Sequence, residues 1–100
     1  MKILAQVFTK GELNCGTSAN GDWERQTLVV QTMADNPKLI PIEFFGKKKV
    51  RDIQNVSTGD YVEVIFEIDG REHEGRWFPS INGISCRQFQ KVDISQSSNE

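Results

Sequence analysis

The segment YVEVIFEI, residues 61–68, places apolar side chains at every second position and therefore predicts a β-strand with one buried face. Successive side chains of a strand leave opposite faces of the sheet, so Glu63 and Glu67 lie on the face opposite the apolar residues. The apolar residues are Val62, Val64, Phe66 and Ile68. Such a strand is expected in an antiparallel sheet that is packed on one side and open to solvent on the other.

Four further segments, rich in β-branched or aromatic residues, also predict strands. They are residues 3–8, 23–33, 38–45 and 76–89. Asn20-Gly21 predicts a tight turn before the second strand. Pro41 cannot donate a ladder hydrogen bond and predicts an edge or a bulge in the third strand, and Pro79 and Gly83 predict bulges or bends in the last.

The period of the sequence changes after Gly46. From Lys47 to about Val56, the apolar residues Val50 and Ile53 lie three apart, which predicts a short helix. Three strands, a short helix and a two-stranded hairpin make an all-β chain with the plan of a five-stranded OB-fold, a Greek-key barrel with its helix between the third and fourth strands. Barrels of this kind bind oligonucleotides or oligosaccharides on one strand face.

One hundred residues suffice for a single domain with a modest core. We expect residues 1–92 to form this domain and residues 93–100 to be a short flexible tail, because the tail has almost nothing to bury. No apolar run approaches the ~18 residues of a membrane-spanning helix, and the first residues meet polar side chains too early for a signal peptide, so we expect a cytoplasmic location.

Residues able to support catalysis or bind a metal are sparse. Cys15 and Cys86 lie far apart, and His73 is the single histidine, so the sequence offers neither a zinc site nor a C-x-x-C motif. Both cysteines are expected to be reduced, half-buried thiols. His73 has no nucleophile motif to assist, and the glycines form neither a P-loop nor a G-x-G-x-x-G motif. We therefore predict no cofactor and no enzymatic activity.

Two adjacent phenylalanines end the third strand. Phe44 shares the strand face of Ile40 and Ile42, so it is expected in the core. Phe45 points the other way, either packing against the following helix or offering its ring to a nucleic-acid base. We favour the second interpretation, because a basic block begins two residues later.

Three other aromatic residues could also lie either in the core or on a ligand-binding face. Trp23 shares a mostly polar strand face with Arg25, which fits a contact surface, although a tryptophan closing one end of the barrel is about equally expected. Trp77 and Phe78 are adjacent in the last strand. Alternation alone would bury Trp77 and expose Phe78, but a bulge in the hairpin would reverse the two, so the choice stays open.

The net charge of −2 and the pI near 5.4 argue against an indiscriminate nucleic-acid binder. The charge is unevenly spread, however, with a basic block at residues 47–51 and many acids within residues 60–74. A lysine run alone is usually a solvated helix face, but here aromatic residues accompany it. The candidate phosphate contacts are Arg25, Lys47, Lys48, Lys49, Arg76 and Arg87.

Four motifs, GTSANGDW, FFGK, GDYVEV and GRWF, follow one another at a spacing that resembles DUF3127, a small Bacteroidetes family. The resemblance covers about residues 3–90. It implies a reduced relative of bacterial single-stranded DNA-binding proteins. Phe45-Gly46-Lys47 is similar to the aromatic-Gly-Lys sequence that ends a strand in those proteins, where the aromatic ring stacks on DNA. The resemblance thus supports Phe45, rather than Phe44, as a base platform.

The sequence therefore predicts a non-enzymatic OB-fold that binds single-stranded nucleic acid, DNA in preference to RNA, with weak sequence preference. The predicted contact residues are Trp23, Arg25, Phe45, Lys47, Lys48, Lys49, Arg76, Trp77, Phe78 and Arg87. The alternative is a protein-interaction or oligomerisation module that uses the same barrel face. No membrane partner is expected, and a homodimer or higher oligomer is left open.

Overall fold

The computed structural model describes residues 1–89, which form six strands and one short helix. The elements are β1 (Lys2–Lys10), β2 (Asn14–Ser18), β3 (Gly21–Thr32), β4 (Leu39–Phe45), α1 (Lys47–Asp52), β5 (Tyr61–His73) and β6 (Arg76–Phe89). The predicted tail, residues 93–100, lies outside the described residues. Within residues 1–89, no helix has the length and apolar character needed to cross a membrane.

The sheet closes on itself through β3. One edge of β3 pairs with β2 near its start and with β1 near its end, while its other edge pairs with β4. β1 continues the sheet to β5, β5 to β6, and β6 to β4 through the parallel bridge between Glu43 and Asn82. The ring β1-β5-β6-β4-β3 is the predicted five-stranded barrel, with α1 between β4 and β5.

The additional strand, β2, was not predicted. Its sequence, NCGTS, is typical of a loop, yet all five residues pair with β3 in unbroken register from Asn14 opposite Arg25 to Ser18 opposite Gly21. The turn predicted at Asn20-Gly21 lies one residue earlier, since Ala19 and Asn20 form it and Gly21 begins β3. The low strand propensity of these residues is overcome because the adjacent edge of β3 supplies partners for their backbone hydrogen bonds.

Alternate side chains of the strands fill the barrel. Phe44 is completely buried, as predicted, together with Leu28 and Ile42 from the neighbouring strand positions. Val50 and Ile53 are buried in the same core, and the predicted helix is confirmed, although it ends at Asp52 rather than near residue 56. Burying side chains of this size contributes about 1.5–3 kcal/mol each to folding.

Gly83 allows β6 to pass directly over the Phe44 ring. A Cβ at Gly83 would lie 2.4 to 2.7 Å from three ring carbons, closer than any side chain tolerates. The ladder between β5 and β6 shifts beside it, because Ile65 pairs with Ser85 and the next residue pairs with Gly83. The predicted irregularity near Gly83 is thus confirmed, whereas Pro79 stays in regular register opposite Gly70.

Pro41 lies opposite Val29 on the paired edge of β4. On the other edge, β4 meets β6 at Glu43. The edge or bulge predicted at Pro41 is wrong, because β4 lies between β3 and β6 in the sheet and its register with β3 continues unbroken through Pro41.

A buried glutamine fixes the helix to the barrel. Gln26 is 7% exposed, and its Nε2 donates to the Gly11 carbonyl at 2.9 Å. Its Oε1 accepts from Nε2 of Gln54 at 2.9 Å, and the same Gln54 nitrogen donates to the Val50 carbonyl at 3.0 Å. Lys10 adds a bond from Nζ to the Ile53 carbonyl at 3.1 Å. These bonds hold the helix, and the lysines at its start, in one place.

The β5–β6 hairpin extends well beyond the barrel. The predicted turn DGREHEG, residues 69–75, is wrong in extent, because pairing continues to His73 opposite Arg76 and leaves a two-residue turn. Glu74 and Gly75 take positive φ of 53° and 79°, as the tight turns of hairpins require. Residues 67–79, here called the hairpin arm, are all exposed.

The two cysteines differ in environment. Cys86 is half-buried, as predicted, but Cys15 is exposed on β2. Burial, reinforced by the nearby negative charge of Asp52, raises the pKa of Cys86 to about 11. A thiol with such a pKa stays protonated and unreactive at neutral pH.

We expect Gly83→Ala to lower the free energy of unfolding by about 1–3 kcal/mol, because the added methyl group must displace the Phe44 ring. Gly70→Ala is the matched control, since its Cβ would meet the nearest ring carbon at an ordinary 3.7 Å. Urea denaturation of both variants makes the comparison. Equal midpoints for the two variants would contradict the proposed packing.

We expect a thiol reagent to label Cys15 much faster than Cys86 at neutral pH. The folded chain holds the Cys86 proton more tightly than the unfolded chain, so the free energy of unfolding should fall as the pH rises from 9.0 toward about 11. Cys15→Ser isolates the labelling rate of Cys86, and Cys86→Ser should reduce the alkaline loss of stability. Equal labelling of both thiols in the folded protein would show that Cys86 is not protected.

Candidate nucleic-acid interface

Trp23 and Phe45 form a pair of stacked rings on the outer face of the barrel. Their centroids are 6.0 Å apart and their planes differ by 19°. Phe45 leaves 54% of its surface exposed and is not covered by the helix. Trp23 is half-buried but lies outside the hydrophobic core, so it does not close the barrel end.

Gly16 supports the Trp23 ring from the neighbouring strand. The two residues are directly opposite in the β2–β3 ladder, and a Cβ at Gly16 would lie 2.3 to 2.9 Å from three indole atoms. The indole therefore packs against the backbone of β2. A rigidly held ring offers a base its surface at little cost in side-chain entropy.

Gly46 turns the chain from β4 into α1. Its φ of +106° belongs to the region that favours glycine. Its N–H donates to the Glu24 carbonyl at 2.8 Å, and its own carbonyl accepts from the Val50 N–H at 2.9 Å. The turn at Gly46 joins the strand that carries the exposed Phe45 ring to the helix that begins at Lys47. This explains the glycine of the FFGK motif.

The lysines Lys47, Lys48 and Lys49 are exposed on the first turn of the helix. Among residues 1–89, none of them forms an ion pair. Lys47 borders a surface depression of about 380 Å³ next to Trp23, and Lys49 borders a groove next to Phe45. Two cations that form no ion pair within residues 1–89 thus flank the aromatic pair, and the acids Asp22 and Glu24 also line the depression beside Trp23.

The groove beside Phe45 has a volume of about 450 Å³ and connects the barrel face to the hairpin arm. It is lined by Arg25, Glu43, Phe45, Lys49, Arg71, Asn82 and Gly83. Arg25 lies 5.7 Å from the centroid of the Trp23 ring, and its Nε is 3.5 Å from Oε2 of Glu43. The groove therefore contains an aromatic ring, three cations and one carboxylate.

The hairpin arm carries a second aromatic and basic cluster. Arg76 lies 5.9 Å from the centroid of the Phe78 ring, and Phe78 is directly opposite Arg71 in the ladder. Alternation places Phe78 on the same arm face as Asn82, which lines the groove. Two acids, Glu67 and Asp69, share this face, so it is not uniformly basic.

Arg71 was missed by the sequence analysis because residues 69–75 were assigned to a turn. The signal was available, since Arg71 continues the outward positions that begin with Glu63 and Glu67. Extending the predicted strand, residues 61–68, by three residues would have found it.

Trp77 lies on the opposite face of the arm and is 70% exposed. It follows the expected alternation, but the burial that alternation predicted for it is wrong, because the arm lies beyond the barrel. Phe78 is exposed as alternation predicted, at 48%. Of the two, Phe78 faces the groove side.

Arg87 is separate from the groove. It lies opposite Glu63 in the β5–β6 ladder and forms an ion pair with it at 3.1 Å. Glu63 also pairs with Lys2 at 3.7 Å. The charge of Arg87 is therefore partly compensated by Glu63.

The fold resembles those of solved proteins. The mitochondrial single-stranded DNA-binding protein Rim1 of S. cerevisiae superposes with a TM-score of 0.69 at 16% identity, over 90% of this chain and 94% of its own. A small single-stranded DNA-binding protein from Streptomyces coelicolor gives 0.57 at 16% identity, over 92% and 93%. The dimeric N-terminal domain of PriB from Thermoanaerobacter tencongensis gives 0.58 at 13% identity, over 91% and 96%. At these identities the likeness establishes the fold, which is the predicted OB-fold.

No curated protein matches the sequence. The model of one protein family, described as a domain of unknown function, DUF3127, matches residues 2–92. Because this match spans most of the chain, the protein belongs to the DUF3127 family.

Proposed function

We propose that this chain binds single-stranded nucleic acid, DNA in preference to RNA, on the face formed by β3, β4 and the hairpin arm, and that it does so without catalysis. The observation that carries the proposal is the exposed Phe45 ring, stacked beside Trp23 and flanked by lysines without ion-pair partners. Unpaired bases stack on such rings whatever their identity, and the cations neutralise phosphates.

The arrangement fits a single strand better than a duplex. In a duplex the flat faces of the bases are covered by their neighbours, whereas an exposed ring needs a free base face to stack on. The groove extends from Phe45 to Arg71, and Arg76 and Phe78 continue it along the arm. A flexible strand laid along this path meets rings and cations together.

The solved structures support DNA as the ligand. The yeast and Streptomyces proteins with this fold are both described as single-stranded DNA-binding proteins. The PriB domain is described as dimeric, which supports a homodimer for this chain as well. Weak sequence preference follows from the predominance of ring faces and phosphate-binding cations over groups that read base edges.

A second candidate function is protein interaction through the other arm face. Trp77 and Ile68 are 70% and 54% exposed there, and large apolar side chains exposed together often mark an interface. In this case the lysines would serve only solubility.

We expect affinity for oligo-dT to exceed that for a duplex of equal length. The logarithm of the binding constant should fall linearly with the logarithm of salt concentration, with a slope of ~−0.7 for each phosphate contacted. Fluorescence anisotropy at several salt concentrations measures this slope. Lys47→Gln and Lys49→Gln should each reduce it, while Lys2→Gln, which alters a cation paired with Glu63, should leave it unchanged. A binding constant insensitive to salt would contradict phosphate contact by the lysines.

We expect Phe45→Ala to weaken binding of oligo-dT by ~1–3 kcal/mol, the value of one stacked base. Phe8→Ala is the matched control, because Phe8 is similarly exposed but lies on β1. Denaturation curves of both variants establish that they are folded. If Phe45→Ala binds as the parent does while Trp77→Ala alters self-association, the protein-interaction function is favoured instead.

A further inference from the structure

Arg25 and Glu43 lie side by side in the groove next to the Phe45 ring. Their charged groups approach to 3.5 Å, and their side chains are 45% and 41% exposed. Arg25 is directly opposite Phe45 in the β3–β4 ladder, and Glu43 precedes Phe45 by two residues on the same strand face. A base stacked on Phe45 therefore has its edge next to both charged groups.

The two side chains present different hydrogen-bonding groups. The guanidinium of Arg25 only donates, and the carboxylate of Glu43 only accepts. An exposed ion pair contributes little to stability, so exchanging its contacts for contacts with a base costs little. The pair thus offers donors beside acceptors to any base that enters the groove.

Guanine alone among the common bases carries the complementary order of groups. The N7 and O6 atoms are neighbouring acceptors, and N1–H and N2–H₂ follow them as neighbouring donors. Arginine recognises the acceptor pair of guanine with two hydrogen bonds. A carboxylate, with two acceptor oxygens, matches the donor pair.

We propose that Phe45, Arg25 and Glu43 form a guanine-preferring subsite. The inference rests on the proposed binding of single-stranded nucleic acid and adds the base that one nucleotide of the site selects. Phe45 stacks the base, Arg25 donates toward O6 and N7, and Glu43 accepts from N1–H and N2–H₂. Asn82, which pairs with Glu43 across the strands, lines the same groove.

The other bases fit less well. Thymine has a single ring N–H between two carbonyl oxygens, so one carbonyl faces the carboxylate. Cytosine and adenine each offer one exocyclic amine beside an unprotonated ring nitrogen, which also faces a carboxylate oxygen. Each of these bases leaves an acceptor against an acceptor.

The experiment compares oligo-dT with the same oligonucleotide in which isolated thymidines are replaced by dG or by deoxyinosine. Isolated replacements avoid guanine quadruplexes, and deoxyinosine lacks only the N2 amine of guanine. We expect dG to tighten binding about fivefold or more, the lower limit for a good bidentate contact, and deoxyinosine to recover less of this gain. Anisotropy titrations at one fixed salt concentration give the ratios.

Two variants assign the preference to the groove. Glu43→Gln removes one of the two acceptors and should reduce the difference between dG and dT. Glu63→Gln is the matched control, since it removes the same charge and also breaks a pair with an arginine, but on another part of the barrel. It should leave the ratio unchanged.

The outcomes separate this inference from the proposed function. If oligo-dT binds but dG adds nothing, the guanine subsite is overturned and the binding function stands. If dG is preferred and Glu43→Gln retains the full preference of the parent, the role of Glu43 is overturned. If no oligonucleotide binds, the proposed function itself fails.

Discussion

The contact between the Phe44 ring and the backbone of Gly83 is the constraint on which the rest of the structure depends. It lets β6 cross close to β4 beside the bridge between Glu43 and Asn82, which closes the barrel. Once Phe44 is directed inward, the pleat of the strand must direct Phe45 outward. The two adjacent phenylalanines therefore supply one ring to the core and one ring to the candidate site.

The position of the helix determines where the lysines lie. Gly46 allows the chain to turn immediately after Phe45, and the hydrogen bonds between Gln26 and Gln54 hold the helix against the barrel. As a result the lysines are kept beside the stacked rings rather than spread over the surface. A net negative chain can bind a polyanion in this way, because the local field of a groove depends on which charges line it.

Much of the fold could be predicted because alternation is a local property. The opposite directions of Phe44 and Phe45 follow from a period of two and are confirmed, and the bounds of β6, predicted from its β-branched and aromatic residues, are confirmed as well. β2 could not be found in this way, because its Asn, Gly and Ser residues are typical of loops and only pairing with β3 makes them extended. The outer part of β5 continues the alternation, but Asp69 and Gly70 favour a turn, so this part of the strand was missed.

The candidate site was less accessible from sequence. Alternation shows which face a residue takes but not whether another element covers that face, so the exposure of Trp77 was missed. The ion pair of Arg87 with Glu63 depends on cross-strand register, which leaves no mark on a single sequence. By contrast, Phe45 and the lysines were identifiable because one short motif contains the ring, the turn and the cations.

The most direct test of the account is the response of the two tryptophan indole N–H signals in a nitrogen–proton correlation spectrum as oligo-dT is added. Trp23 is stacked on Phe45, whereas Trp77 lies on the opposite face of the arm, so the two indoles report on different surfaces. The account predicts that the Trp23 signal shifts together with the backbone amides of Phe45 and Gly46, while the Trp77 signal stays in place. Shifts confined to Trp77 and its neighbours, with Trp23 unaffected, would contradict it.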